Sequence, residues 1–409
     1  MTQADFTIAN QTFPNTRTEL NTSLQALATN SAGNSAPSTT FPNQWWFDSD
    51  GNILYMRNKD NDAWVTVLTI GATSDAVETL SATTINGIPF YQGDTGSIYT
   101  HDVSGTDNSA QYNTAYGLTA LDAITTGDNN TAIGHNAGGA INTGASNTLV
   151  GYQAGRDITD DSNNVAIGFR AGSNLTESSN VAIGSDAARL GTSFTDSVVI
   201  GTSAIGTGVA TGTANVVIGK TAGQILTSAS SNILVGHSAG QALTTGGDNI
   251  FIGQDAGDDH DAETNNLGIG KGSLGGSIAG GEYNVAIGNA TLDALTSGDN
   301  NTAVGYSAGS GLTTGSQNIF IGENAGSNAP VTGNDNVVIG KSAGANITSG
   351  SSNIFMGRDA GGETTSAALT TAVGHQAGKA ITTGDGNTVM GSTAGDAITT
   401  ESNCTLIGQ

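Results

Sequence analysis

A glycine that follows an apolar residue recurs along most of the chain and constrains the fold more than any other sequence feature. Eighteen such glycines, here called anchor glycines, are separated by steps of 16, 17 or 18 residues. They are Gly117, Gly134, Gly151, Gly168, Gly184, Gly201, Gly219, Gly236, Gly253, Gly270, Gly288, Gly305, Gly322, Gly340, Gly357, Gly374, Gly391 and Gly408. Such a period indicates a solenoid of stacked small units.

The residues before each anchor glycine predict the type of solenoid. They are strand formers, as in Val165-Ala166-Ile167 and Ile250-Phe251-Ile252,. A helix is disfavoured, because each interior glycine costs about 1 kcal/mol relative to alanine. We therefore expect an all-β fold, a parallel β-solenoid or β-roll with rungs of 16 to 18 residues. Each rung should hold two short strands and two glycine-containing turns.

Asparagine lies four residues before 15 of the 18 anchor glycines. The exceptions are Ser197, Thr370 and Cys404. Because stacked amides can hydrogen-bond along a pile of strands, this recurrence predicts an asparagine ladder from rung to rung.

Two adjacent strand positions are both apolar, and this predicts self-association. The residue directly before the anchor glycine is usually Ile or Val, and we expect it to fill the solenoid core. The residue before that, such as Leu149, Val199 or Phe251, then points outward and is also apolar,. Because a strand that is apolar on both faces is buried on both faces, we expect several copies to pack around one axis.

Composition narrows the classes of function. The chain has 35 Asp+Glu against 11 Lys+Arg, for a net charge of −24, so we expect neither nucleic-acid binding nor membrane insertion,. Its one cysteine, Cys404, excludes an intrachain disulfide and is expected to be an inert thiol,. No apolar run reaches the roughly 18 residues of a membrane span, and the first residues lack a signal-peptide pattern. We therefore expect synthesis in a cytoplasm without a standard export signal.

Residues 1–70 differ from the repeats and predict a small α+β domain. Residues 15–29 form a candidate amphipathic helix, with Leu20 and Leu24 on its apolar face,. Strand-forming segments at 45–47, 53–56 and 63–68 alternate with turns rich in Asp, Asn and Gly and predict a three-stranded meander,.

The expected core of this N-terminal domain is Trp45, Trp46, Trp64, Leu20 and Leu24. Residues 71–112 are expected to form a neck or adaptor, with a hairpin turn at Ile85-Asn86-Gly87-Ile88,. Residues 113–409 are expected to form the repetitive shaft.

These two regions together resemble a known family. The segment from Trp45-Trp46-Phe47-Asp48 to Trp64-Val65 resembles the N-terminal region of tail fibre proteins of marine bacteriophages. Units such as Asn130-Thr131-Ala132-Ile133-Gly134 resemble the shaft repeats of phage tail fibres. They are also similar in architecture to the heads of trimeric autotransporter adhesins. The resemblance implies a homotrimer whose N-terminal end is bound to a tail protein, namely an adaptor, nozzle or baseplate.

The resemblance further implies a structural virion component, not an enzyme, that carries a distal tip to a host-surface glycan or protein. The repeats continue to Gln409 in mid-unit, so we expect a truncated shaft or a tip that lies elsewhere. The receptor-binding residues are therefore unknown. Two alternatives remain: an adhesin whose shaft binds host glycan directly, and a tailspike that depolymerises polysaccharide.

An acidic run offers the strongest candidate for chemistry. Its members are Asp255, Asp258, Asp259, His260, Asp261 and Glu263. Carboxylates in such a run could hold Ca²⁺ or cleave a polysaccharide. A solvated loop explains them as well, and no calcium-loop spacing is present. We therefore predict no catalytic residue, no metal site and no cofactor.

Three histidines, His135, His237 and His375, each follow an anchor glycine. Around a three-fold axis such histidines could bind a metal. The same position holds Phe169 and Lys220 in other units, so an outward-facing surface is the better interpretation. On that surface, the aromatic side chains could contact sugars.

Overall fold

A computed structural model describes residues 32–38, 40, 44–51, 53–70, 77–80, 84–85, 88–89, 91–92, 97–100, 106–276 and 280–408. The chain divides into two compact units, Met1–Tyr91 and Gln92–Gln409. Over the described residues both units consist of strands and turns, and no helix occurs in them. The candidate helix at 15–29, with Leu20 and Leu24, lies outside the described residues.

The first unit contains a five-stranded sheet. Its strands are β1 (Ala32–Gly33), β2 (Trp45–Asp48), β3 (Ile53–Arg57), β4 (Trp64–Ile70) and β5 (Val77–Leu80). Strands β2 to β5 are antiparallel in chain order, and β1 is parallel to β2. The predicted meander is confirmed and carries one further strand at each side.

An aspartate starts the turn between β2 and β3. Oδ1 of Asp48 accepts hydrogen bonds from the backbone N–H groups of Asp50 at 3.0 Å and Gly51 at 3.2 Å. Such side-chain contacts stabilise a tight turn.

Three short strands follow β5: β6 (Thr84–Ile85), β7 (Ile88–Pro89) and β8 (Tyr91–Gln92). The antiparallel pairing of Ile85 with Ile88 matches the predicted hairpin.

The second unit is a parallel β-solenoid with one strand in each rung. Its strands are β9 (Ile98–Tyr99), β10 (Thr114–Tyr116), β11 (Thr131–Ile133), β12 (Thr148–Val150), β13 (Val165–Ile167), β14 (Val181–Ile183), β15 (Val198–Ile200), β16 (Val216–Ile218), β17 (Ile233–Val235), β18 (Ile250–Ile252), β19 (Leu267–Ile269), β20 (Val285–Ile287), β21 (Thr302–Val304), β22 (Ile319–Ile321), β23 (Val337–Ile339), β24 (Ile354–Met356), β25 (Thr371–Val373), β26 (Thr388–Met390) and β27 (Thr405–Ile407). Each strand pairs in register with the next one. Strand β9 also pairs with β10, so solenoid pairing extends upstream of the expected start at residue 113.

The second strand expected in each rung does not form in the described residues. After the anchor glycine the chain proceeds through turns, which remain tied to the next rung by backbone hydrogen bonds. Gly138 N–H, for example, donates to the carbonyl oxygen of Ala154 at 2.9 Å. Left-handed backbone at Asn136 (φ 56°), Gly138 (φ 57°) and Ser146 (φ 60°) bends the chain within one unit. Three such bends leave too little extended chain for a second strand.

The prediction of which strand residue faces inward was wrong. The middle residue of each strand from β10 to β26, such as Ala132 or Phe251, is buried in the core, whereas Ile133 before the anchor glycine is 40% exposed. The core of a rung also contains the alanine three residues after the anchor glycine and a large aliphatic residue four residues later, as at Ala137 and Ile141. Because alternate residues point to opposite faces, the first and third strand residues both face outward.

The predicted asparagine ladder is confirmed. Oδ1 of Asn284 accepts a hydrogen bond from the backbone N–H of Asn301 at 3.0 Å and from its Nδ2 at 3.1 Å. Nδ2 of Asn284 donates to the carbonyl oxygen of Gly298 at 2.9 Å. The ladder asparagines are buried, so these bonds satisfy polar groups that water cannot reach,.

A second ladder runs along the neighbouring corner, six residues before the anchor glycine. There the side chain of one rung accepts from the backbone of the rung before it. Oδ1 of Asp299 accepts from Glu282 N–H at 2.8 Å, and Ser316 Oγ accepts from Asp299 N–H at 3.0 Å. Sequence reasoning missed this ladder because the position varies widely. The accepting side chains are Ser, Asp or Asn, and other units have residues such as Ala145 and Gly247 there.

Candidate functional site

The outward residues of the solenoid strands form one continuous surface, here called the apolar strip. It comprises the first and third residues of β10 to β27. Every one of these 36 positions is Thr, Val, Ile, Leu, Met or Tyr, and none carries a charge. Members such as Ile167, Ile287 and Met356 are exposed in the single chain. An apolar surface of this length exceeds the patches that monomeric soluble proteins usually show.

A column of exposed side chains directly follows the anchor glycines. In it, the rings of His135 and Tyr152 stack with centroids 5.4 Å apart, and Tyr152 stacks on Phe169 at 5.3 Å. The guanidinium carbon of Arg170 lies 4.6 Å from the Phe169 centroid. Both faces of Tyr152 are therefore covered by neighbours and only its edges meet solvent. A sugar binds an aromatic ring through the ring face, so this stack is a poor sugar platform.

The three predicted histidines are not brought together within one chain. They lie in rungs six and eight apart, which corresponds to about 30 Å and 40 Å at the usual strand spacing. His237 Nδ1 lies 3.8 Å from a carboxylate oxygen of Asp255, and His375 Nε2 lies 2.5 Å from an Arg358 guanidinium nitrogen. Within the part of the chain that the structure describes, no group of three or more His, Cys, Asp or Glu residues is placed to hold a metal ion.

The acidic run divides into residues with different roles. His260 is fully buried against Phe251, with ring centroids 4.8 Å apart, and burial lowers its pKa to about 4. Glu263 is also buried, and its carboxylate accepts backbone hydrogen bonds from Asp261 at 2.9 Å and Gly280 at 3.0 Å. These two residues are structural.

Two members of the run, Asp255 and Asp258, line a surface pocket of about 530 Å³. The other lining residues are Lys271, Gly272, Gly275, Asn289, Ala290, Asp293 and Tyr306. Burial, aided by the nearby charges of Asp259 and Asp255, raises the pKa of Asp258 to about 6. Burial also raises the pKa of Asp293. Raised carboxyl pKa values in a pocket mark a candidate binding site.

The adjacent tryptophans of the first unit differ in burial because successive strand residues point to opposite faces. Trp46 is 8% exposed and stacks on Tyr55 at 5.0 Å, with Trp64 tilted against it at 5.7 Å. Trp45 is 41% exposed, so it does not join the expected core. The predicted core is therefore present as Trp46, Trp64 and the unforeseen Tyr55. Leu20 and Leu24 lie outside the described residues.

Cys404 takes the ladder position in the last rung. Its thiol is partly buried, and its backbone N–H donates to Oδ1 of Asn387 at 2.9 Å. The ladder thus reaches this rung through the backbone rather than the side chain.

Comparison of the chain with protein-family models, with curated proteins and with solved structures found no match. Among the described residues there is also no helix with the length and apolar character needed to cross a membrane. The resemblance to phage tail fibres accordingly stays a prediction from the sequence.

Proposed function

We propose that the chain forms the base and shaft of a homotrimeric bacteriophage tail fibre, a structural component of a virion without enzymatic activity. The apolar strip carries this proposal. It lies on one side of the solenoid, runs over 18 rungs and contains no charged residue. A second and third copy of the same chain, in parallel orientation, would cover it along its whole length.

The area of the strip suits such an assembly. Seventeen rung intervals at about 4.8 Å give a length of roughly 80 Å. With a width of roughly 10 Å, each copy offers on the order of 800 Å² to its two neighbours together, so a whole trimer would bury about 2,400 Å². The acidic residues lie off the strip, so like charges need not be buried when copies meet. Three-fold symmetry follows from the resemblance to trimeric fibres, in which the N-terminal unit binds a tail protein.

Native mass measurement of the full chain tests the proposal. We expect a trimer for the natural sequence and a monomer for the double variant Ile218→Lys/Ile287→Lys, which places two charges on the strip. Val209→Lys is a matched control, because Val209 is exposed but lies off the strip, and this variant should remain trimeric.

Each outcome bears on a separate part of the proposal. A monomer at micromolar concentration of the natural chain would contradict self-association, and a dimer would contradict the trimer. Circular dichroism of each variant controls for loss of fold. The salt dependence adds a further readout: because each copy carries a charge of −24, association should strengthen as salt screens repulsion,.

The pocket around Asp258 favours a second candidate function, direct binding of host-surface glycan by the shaft. Glycan binding at this pocket is compatible with a fibre role, since a fibre shaft can contact the host along its side. The two candidates require different surfaces and can be tested independently.

A further inference from the structure

The pocket arises where two side chains of the repeat are missing. In the unit that begins at Gly270, glycine occupies the second and fifth positions after the anchor, as Gly272 and Gly275. A Cβ on Gly272 would meet no atom within 4 Å, so the position opens to empty space. The rungs on either side carry side chains at the same two positions, which form the walls of the recess.

The two walls present carboxylates at equivalent repeat positions. Asp258 and Asp293 are both the fifth residue after an anchor glycine, two rungs apart, with Gly275 between them. Two rung spacings correspond to a separation of roughly 10 Å between their Cα atoms. A Cβ added to Gly275 would lie 3.3 Å from Oδ1 of Asp258, so that carboxylate borders the space that the glycine leaves.

This separation argues against a single bound ion. A metal needs several oxygen ligands within about 2.6 Å of one point. In the described portion of the chain no three acidic or histidine side chains converge in that way. The occupant that fits both carboxylates is therefore an extended molecule with several hydrogen-bonding groups.

The remaining lining residues suit a sugar ring. Tyr306 is 60% exposed and follows an anchor glycine, the same repeat position as Tyr152. Its neighbours at that position are Asn289 and Glu323, neither of which is aromatic, whereas Tyr152 is enclosed between two rings. Tyr306 also lines the pocket, which Tyr152 does not. An apolar ring surface beside a few polar groups is typical of small-ligand sites.

An amide adds a positioned polar group at the pocket edge. Oδ1 of Asn289 accepts a hydrogen bond from the backbone N–H of Lys271 at 2.9 Å. This contact orients the amide, whose Nδ2 can donate to a ligand hydroxyl. Asn289, Tyr306 and the two carboxylates together provide a donor, a ring and two acceptors.

We propose that this pocket binds an amino sugar with a free, protonated amino group, as one residue of a host-surface polysaccharide. The sugar ring packs against Tyr306, hydroxyl groups contact Asn289 and Asp293, and the ammonium group pairs with Asp258. The proposal goes beyond the role of a passive shaft and does not depend on the oligomeric state.

Charge favours this class of sugar over acidic ones. Three carboxylates line the pocket against one ammonium, that of Lys271, and the chain as a whole carries −24. Uronic or sialic acids would be repelled at such a site. A ligand ammonium has the opposite effect: it favours the ionised carboxylates, which burial alone disfavours, as the raised pKa of Asp258 indicates,.

Titration calorimetry of the full chain with three defined oligosaccharides tests the proposal. The probes are the trimers of glucosamine, of N-acetylglucosamine and of galacturonic acid, at a pH where the glucosamine amine is protonated. We expect the glucosamine trimer to bind at least about tenfold more tightly than its N-acetylated counterpart, and the galacturonate trimer not to bind. Failure of the glucosamine trimer to bind, or equal binding of all three, would overturn the proposal.

Paired variants locate the binding on the chain. Asp258→Asn, Asp293→Asn and Tyr306→Ala should each weaken glucosamine-trimer binding by about tenfold or more. Asp396→Asn and Tyr152→Ala alter the same repeat positions outside the pocket and should leave binding within about twofold. If Asp396→Asn weakened binding as much as Asp258→Asn, attraction to net charge would be the cause and the pocket would be rejected.

A filling variant tests the recess without removing any polar group. Gly272→Gln places a side chain in the empty space, and Gln153 and Gln376 occupy the same repeat position with φ of 55° and 56°. The fold should therefore accept it, as circular dichroism can verify. Loss of glucosamine-trimer binding supports the site and unchanged binding overturns it. Native mass of the same samples reports on the fibre proposal, so failure of one is distinguishable from failure of the other.

Discussion

Oδ1 of Asn318 accepts a hydrogen bond from the backbone N–H of Asn336 at 3.0 Å, across a unit of 18 residues. The equivalent bond from Asn301 to Asn284 spans 17 residues and is also 3.0 Å long. The extra residue is therefore absorbed in the turns, and strand pairing stays in register. The asparagine ladder keeps the rungs aligned while the turns vary in length.

Removal of one ladder asparagine should destabilise the solenoid. Asn301 accepts from Asn318 N–H at 2.9 Å and donates to the carbonyl oxygen of Gly315 at 3.0 Å. Asn301→Ala leaves these buried groups unpaired and should lower the free energy of unfolding by roughly 2–4 kcal/mol in urea titration.

Two companion variants separate the ladder from general effects of substitution. Asn301→Ser should cost less, because Ser197 in the same repeat position accepts from Asn215 N–H at 3.0 Å. Asn328→Ala at an exposed asparagine should change stability by less than about 0.5 kcal/mol,. Equal losses for Asn301→Ala and Asn328→Ala would show that the ladder bonds contribute nothing.

The anchor glycines should not tolerate a side chain. Gly288 has φ of 137°, and a Cβ there would lie 2.3 Å from the carbonyl oxygen of Gly305. Gly288→Ala should therefore cost more than about 3 kcal/mol, combining backbone strain with a steric clash. Gly272→Ala is the comparison, since its Cβ meets open space and should cost about 1 kcal/mol from its left-handed backbone alone,. Thermal unfolding followed by circular dichroism would measure both, and similar midpoints would refute the argument.

Burial of His260 should make stability depend on pH. Its pKa is about 4 in the folded chain against 6.5 for the exposed side chain, so only the unfolded chain takes up a proton between these values. The free energy of unfolding should fall by about 3 kcal/mol from this residue as pH drops from 6.5 to 4. Asp258 acts in the opposite direction, because its raised pKa favours the folded state at lower pH.

A variant of His260 separates the effect of this histidine on stability from the opposite effect of Asp258. His260 occupies the repeat position that holds Leu243 in the preceding unit. His260→Leu therefore places an aliphatic side chain there and removes ring nitrogens that have no hydrogen-bond partner among the described residues. The variant should be more stable than the natural chain, by an amount that grows as pH falls through this window. A constant difference between pH 7 and pH 4 would contradict the burial argument.

The two adjacent tryptophans of the first unit should differ in their effect on stability. Trp46→Ala removes the ring that contacts both Tyr55 and Trp64, and should cost roughly 3 kcal/mol or more,. Trp45→Ala, one residue earlier on the opposite strand face, should cost less than about 1 kcal/mol. Urea unfolding of the first unit, followed by fluorescence of the remaining tryptophans, distinguishes them. Equal costs would mean that strand alternation does not set the core.

The period and the asparagine ladder were predictable because each depends on one residue type at a fixed spacing. The inward face was not, since Ala132 and Ile133 are both apolar and alternation alone cannot choose between them. The variation in residue size at each position would have identified the inward face. The inner position varies from Gly268 to Phe251 as core space allows, whereas the outer position stays almost uniformly Ile or Val.

The pocket was only half predictable. Asp258 belonged to the acidic run, but Asp293 lies 35 residues later and joins it only through the stacking of rungs. Gly272 was a sequence signal, since the second position after the anchor carries a side chain in the other complete units. That Gly272 and Gly275 open a recess became clear only from their neighbours along the axis. His260, in contrast, carried a local signal, since it occupies a position that Ile or Leu fills in most units.

Each rung pairs only with the rung before it and the rung after it, in the same register throughout. The length of the solenoid along its axis is therefore set by the number of its rungs. Duplication or deletion of one whole unit would change its reach by about 4.8 Å and leave every remaining contact as it was. Length and local structure can thus change independently, so a lineage can adjust how far the molecule extends without redesigning how it folds.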